Sequence, residues 1–86
     1  MIDHDVHVGA FVHVAPRSAL GGGSYVGDGA YIGMGASLRD HTRINERTMV
    51  GMGAVVAKEF PADSVLVGIP ARAMVPAIAP TLAAAN

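Results

Sequence analysis

The sequence predicts an all-β fold, a parallel solenoid of short strands and turns, from three observations. The first is a period of six. Every sixth residue from Ile2 is aliphatic: Ile2, Val8, Val14, Leu20, Val26, Ile32, Leu38, Ile44, Val50 and Val56. The second is a mostly small residue four places after each of these, from Val6 and Val12 through Ser18, Ser24, Ala30, Ala36, Thr42, Thr48 and Ala54 to Phe60. The third is composition, with eleven glycines and only 5% aromatic residues, which is not that of a helical bundle. A period of six fits neither the 3.6 of a helix nor a plain alternating strand. Four is an even offset, so the aliphatic and the small residue point to the same side of an extended chain. Stacked on its equivalent in the next coil, each aliphatic then helps build a continuous core.

Taken along the chain, ten hexads cover residues 2 to about 58. Gly9, Gly21, Gly27, Gly33 and Gly51 directly follow the aliphatic residue and read as turn positions with unusual backbone angles. The register breaks at "AKEFPADS", where Lys58, Glu59, Pro61, Asp63 and Ser64 read as a loop. One last strand is expected at "VLVGIPA", Val65 to Ala71. Residues 1–75 form the solenoid domain, and the Ala/Pro-rich tail 76–86 is assigned no function.

Bulk properties exclude several classes. A chain of 86 residues is one small domain with a modest core, of the kind that gains from a partner. With no cysteine there is no disulfide and no thiolate chemistry, which suits a reducing cytoplasm, the expected location. Six basic and seven acidic residues give a net charge of −1, so nothing favours nucleic acid as a partner. No apolar run approaches the roughly 20 residues of a membrane helix.

The stretch "HDVHVGAFVH" holds three of the four histidines. His4 precedes Asp5, and His13 follows nine residues after His4. The chain closes on "VGIPARAM", residues 67–74. With the hexads, these motifs resemble the hexapeptide-repeat acyltransferases, in particular the sugar acetyltransferases of the sialic acid O-acetyltransferase and bacillosamine N-acetyltransferase type. The resemblance covers residues 2–75. It implies a left-handed parallel β-helix with three hexads per coil, here a little over three coils plus a C-terminal strand. It implies an acetyl-CoA-dependent acetyltransferase acting on an amine or hydroxyl of a sugar or nucleotide sugar. His4 would be the general base, Asp5 the neighbour that raises its basicity, and His13 the contact to the acetyl group. A homotrimer with active sites between protomers is also implied. Relatives of this type carry an N-terminal sugar-binding domain, so the chain reads as truncated at its N-terminus by comparison.

The chemistry suits these residues. Imidazole, with an unperturbed pKa near ~6.5, can take a proton from an attacking amine or hydroxyl at neutral pH. A nearby carboxylate favours the imidazolium that forms. No covalent intermediate is required. His4 and His13 are half of an 18-residue coil apart, so in one chain they should not meet over one substrate. A neighbouring protomer can bring them together.

For the coenzyme, the hexads starting at Val14, Ile32 and Val50 should stack. Their third positions include Met34 and Met52, each flanked by glycines in "GMG". His13, Met34 and Met52 are expected to form a line rising about 10 Å along one edge. The resemblance implies that Met34 and Met52 touch acetyl-CoA, with bare glycine letting the pantetheine arm approach the backbone. His7 and His41 read as surface residues, and the polar stretch "RDHTRINER" as a solvated or trimer-rim face. No metal is expected. Two alternatives stand beside this reading. One is a metal enzyme like the gamma-class carbonic anhydrases, although the spacings of His4, His7 and His13 do not match that family's ligands. The other is a non-catalytic trimeric β-helix remnant.

Overall fold

Each hexad folds into one two-residue strand and one tight corner. The computed structural model describes residues 4–74. Nine of the strands follow the six-residue period: β1 (His7–Val8), β2 (His13–Val14), β3 (Ala19–Leu20), β4 (Tyr25–Val26), β5 (Tyr31–Ile32), β6 (Ser37–Leu38), β7 (Arg43–Ile44), β8 (Met49–Val50) and β9 (Val55–Val56). Two more, β10 (Val65–Val67) and β11 (Arg72–Ala73), close the chain. Strands stack in parallel with partners 18 residues apart, as in His7↔Tyr25, His13↔Tyr31 and Ala19↔Ser37. Three hexads therefore make one coil with three faces. The first face is β1-β4-β7, the second β2-β5-β8 extended by β10 and β11, and the third β3-β6-β9. No helix of the described residues is long and apolar enough to cross a membrane.

The core follows the pattern that predicted it. From β3 to β10 the second residue of each strand is buried, and Val26, Ile32, Val50, Val56 and Leu66 are fully so. The small residue four places on is buried beside it, as at Ala30, Ala36, Ala54, Ser24 and Thr48. Two of the buried hydroxyls find backbone acceptors: Ser18 Oγ donates to the Ala15 carbonyl at 2.7 Å and Ser24 Oγ to that of Arg39 at 3.3 Å, whereas the buried Thr48 Oγ1 has no hydrogen-bond partner. The first coil has no described coil beneath it and is looser. Val6, Val12 and Val14 are only partly buried, and Val8 is 37% exposed.

The corners correct one expectation. The residues with left-handed backbone are not the glycines after the aliphatic residue but those two places further on. Gly23, Gly29, Gly35 and Gly53 have φ of 71–75°, and Asp5, Phe11, Arg17, His41 and Arg47 adopt 56–63° at equivalent places. The glycines after the aliphatic serve the close approach of coils instead. A Cβ on Gly33 would stand 2.7 Å from the Val50 carbonyl oxygen and 2.8 Å from the Met52 nitrogen. Bare backbone there admits the neighbouring coil at the usual inter-strand spacing.

The segment read as a loop is a displaced hexad. Phe60 bridges Ile44 in parallel and Leu66 pairs with Val50, so the coil repeat here is 16 residues instead of 18. Two residues have been lost between Val56 and Phe60, after which the six-residue spacing resumes. Asp63, at φ 64°, takes the left-handed corner place three after Phe60. The expected strand Val65 to Ala71 stops at Val67. Gly68 turns left-handed with φ 94°, the Ile69–Pro70 peptide is cis, and β11 returns antiparallel on β10. Glycine and proline at this point do not support a continued ladder. The tail 76–86 and Ile2 lie outside the described residues.

Candidate functional site

Because the second residue of the stacked strands β3 to β10 is committed to the core, chemistry falls to the first residue and to the corner tips. The first corner stacks His4–Asp5, Gly22–Gly23 and Asp40–His41; the second, Ala10–Phe11, Asp28–Gly29 and Glu46–Arg47; the third, Pro16–Arg17, Met34–Gly35 and Met52–Gly53. Backbone bonds hold these tips in columns: Gly23 N–H donates to the His4 carbonyl at 3.1 Å, Gly35 N–H to that of Pro16 at 3.2 Å and Gly53 N–H to that of Met34 at 2.9 Å. Two aspartates tie the turns from above. Asp28 Oδ1 accepts from Ala10 N–H at 2.9 Å and Asp40 Oδ1 from Gly22 N–H at 3.1 Å.

His4 and Asp5 are both exposed at the first corner, with Asp5 at φ 61°. His13 is exposed at the start of β2, on the second face. In a three-sided coil the corner between the third and first faces lies opposite the second face. The structure thus sets His4 and His13 on opposite sides of one chain. Met34 and Met52 are stacked, 47% and 76% exposed, but over Pro16 and not over His13. The column of His13 is Tyr31 and Met49. The expected line of His13, Met34 and Met52 is therefore two parallel columns, three residues apart around the coil, because only a spacing of 18 stacks residues.

His7 and His41 have more definite places than a bare surface reading gave them. His7 stacks on Tyr25 with ring centroids 4.9 Å apart, and Arg43 Cζ lies 4.0 Å from the centroid of the Tyr25 ring. Arg43 Nε donates to Asn45 Oδ1 at 3.2 Å, and Asn45 Nδ2 donates to Glu59 Oε2 at 3.0 Å and to the Phe60 carbonyl at 2.6 Å. His7 thus belongs to a braced surface ladder. His41 stands on the corner of His4 and Asp5, two coils up, against bare Gly23, where a Cβ would collide with its imidazole. His4, His7 and His13 occupy a corner, the first face and the second face. Among the described residues no three His, Asp or Glu side chains gather as metal ligands.

Arg47 and Asp63 make the perturbed ionic contact of the second corner. Arg47 Nε donates to Asp63 Oδ1 at 2.8 Å. That hydrogen bond, with the attraction of the charges, holds the Asp63 carboxyl below the usual range and the Arg47 guanidinium above its own.

An open cavity of about 330 Å³ lies at the carboxy-terminal end, lined by Ala57, Lys58, Pro70, Ala71 and Arg72. It unites two cations that are distant in sequence and that no sequence motif joins. Lys58 continues the column of His4, three coil steps or about 14 Å above it, and β11 lies four strand steps or about 19 Å above His13.

Comparison with known proteins completes the description. Residues 23–58 match the bacterial transferase hexapeptide family (six repeats), whose repeats indicate a left-handed coil. No curated protein matches the chain. PerB from Caulobacter crescentus, solved with CoA and GDP-perosamine, is similar at 40% identity with a TM-score of 0.83, over 85% of this chain and 35% of PerB. A variant of perosamine N-acetyltransferase from the same organism, also with CoA and GDP-perosamine, is 38% identical with a TM-score of 0.82, over 84% of this chain and 34% of its own. The acetyltransferase domain of PglB from Neisseria gonorrhoeae, solved with acetyl coenzyme A, is 35% identical with a TM-score of 0.82, over 84% and 35%. The chain thus spans about a third of the length of these structures.

Proposed function

We propose that this left-handed β-helix, whose residues 23–58 match the bacterial transferase hexapeptide family, forms the catalytic solenoid of an acetyl-CoA-dependent sugar N-acetyltransferase. The observation that carries this reading is the likeness, over 85% of the chain, to a structure holding CoA and GDP-perosamine. An amino group on a nucleotide-linked sugar is the acceptor class it favours. Acetyl-CoA and nucleotide sugars are both cytoplasmic metabolites, and the reaction is assigned there.

In this reading His4, with Asp5 beside it, takes a proton from the acceptor nitrogen as that nitrogen attacks the thioester carbonyl. A C–N bond forms and the C–S bond breaks. CoA leaves as a thiolate and takes the proton back from the His4 imidazolium. His13 donates to the carbonyl oxygen where negative charge develops. Since His4 and His13 sit on opposite sides of one chain, one site needs both from different protomers, and cyclic closure of three chains makes three such sites. Met34 and Met52 flank the pantetheine arm with pliable thioethers. Lys58 and Arg72, which line one cavity, meet the phosphates, with the strand that carries Arg72 about 19 Å above His13.

The test is acetyl-CoA binding by calorimetry on protein whose solution mass is measured in the same sample, followed by transfer to a panel of nucleotide-linked amino sugars. The expected result is a trimer with about one site per chain, and a His4→Ala variant that binds acetyl-CoA but transfers nothing. A well-folded trimer that binds no acetyl-CoA would identify a structural remnant instead. A monomer that transfers acetyl groups would refute the shared site.

A further inference from the structure

We propose that Tyr31 is a positioning residue for His13, holding the imidazole in the plane from which it meets the acetyl thioester. The inference rests on the reading of His13 given above and adds a residue to it. The chain has two tyrosines, and each lies one coil above a histidine: Tyr25 over His7 and Tyr31 over His13. The imidazole of His13 and the ring of Tyr31 are stacked with centroids 4.8 Å apart and planes inclined by 11°. Backbone bonds on both sides, from His13 N–H to the Ala30 carbonyl at 3.1 Å and from Ala15 N–H to the Ile32 carbonyl at 2.9 Å, keep the two Cα positions in register. The remaining freedom of His13 is rotation of its ring, and a parallel aromatic neighbour opposes that rotation.

The two ladders differ in a way that separates bracing from positioning. Above Tyr25 sits Arg43, tied sideways to Asn45, so the ladder of His7 is closed by a cation. Above Tyr31 comes Met49, and Tyr31 and Met49 remain 42% and 49% exposed. The ladder of His13 thus lies open to a ligand along its length. Tyr31 presents the same ring face to His13 whether or not it carries a hydroxyl. A phenylalanine therefore preserves the function and an alanine removes it.

The experiment is a double-mutant cycle read by acetyl-CoA calorimetry on wild type, Tyr31→Ala, Tyr31→Phe, His13→Ala and the His13→Ala/Tyr31→Ala pair, with thermal midpoints measured alongside. Tyr31→Ala should weaken binding about three- to tenfold, and Tyr31→Phe should bind as wild type does. In the His13→Ala background, Tyr31→Ala should change nothing further. Wild-type protein that binds no acetyl-CoA would defeat the function proposed above and this inference with it. Wild-type binding that His13→Ala weakens and Tyr31→Ala does not would overturn this inference alone. So would an equal loss from Tyr31→Ala with and without His13, which would make Tyr31 a direct ligand contact.

Discussion

Val8 and Val26 offer a controlled measurement of what stacking contributes. They are the same residue type, on the same face, paired in register between adjacent coils. Val26 is 0% exposed and Val8 37%. Val→Ala removes two carbon groups, worth about 1.6 kcal/mol if fully buried. At Val26 the surrounding coils leave a cavity as well, raising the cost to about 2–3 kcal/mol. At Val8 only part of the side chain is withdrawn from water and no enclosed cavity forms, so the cost is about 1 kcal/mol. The loss of strand preference on going from valine to alanine is common to both and cancels. A domain of this size loses roughly 4–8 °C of thermal midpoint per kcal/mol. Val26→Ala should therefore fall about 8–24 °C and Val8→Ala about 4–8 °C. Both are read by circular dichroism melting at one protein concentration, since assembly makes the midpoint concentration-dependent. Equal losses would refute the reasoning, and would mean that the lower end of the solenoid is covered in solution.

Two further outcomes are expected. Lys58→Ala/Arg72→Ala should weaken CoA binding by about tenfold or more and flatten its dependence on salt; unchanged affinity would put the phosphates elsewhere on the surface. Asp63 has its carboxyl held below the ordinary 3.8 by the Arg47 hydrogen bond. The stabilisation from this group is therefore full above that value and fades as the pH falls through the lowered one. The pair is exposed, so its effect is small. Asp63→Asn should melt slightly below wild type at about pH 6, and the gap should close as the pH falls through the lowered value. A gap that widens in acid would reverse the assigned sign.

The fold was legible because burial leaves little choice at two places in each hexad. A residue that must stack on its equivalent every coil has to be aliphatic, and one inside a tight corner has to be small; both demands show as a period. Backbone conformation was less legible, because glycine answers two different needs. At Gly33 it permits the close approach of the next coil, and at Gly35 it permits a left-handed turn. Composition alone does not separate these, and Arg17, His41 and Arg47 fill the left-handed place without being glycine. The displaced hexad was hidden because Phe60 is not aliphatic and Pro61 reads as a breaker, although the spacing from Phe60 to Leu66 is again six. Lys58 and Arg72 could not be joined from sequence, since only the hairpin of β10 and β11 brings them together. The pairing of His13 with Tyr31 left a signal that the six-residue period obscures. It appears when outward residues are compared at 18, where His7 with Tyr25 repeats it.

That spacing of 18 also sets the geometry available to the long ligand proposed for this chain. Around the coil, position decides which side of the molecule a residue faces, and nine residues is the largest separation available. His4 and His13 have that separation, so no rotamer change in one chain brings them together, and in the proposed site a second chain supplies the other histidine. Along the axis, position is counted in strands of about 4.8 Å, and the backbone bonds between corners leave little slack in that count. The distance from His13 to the cationic end is then fixed by the number of coils and not by any one loop. The loss of two residues before Phe60 does not disturb it, because the shortened coil still stacks Leu66 on Val50.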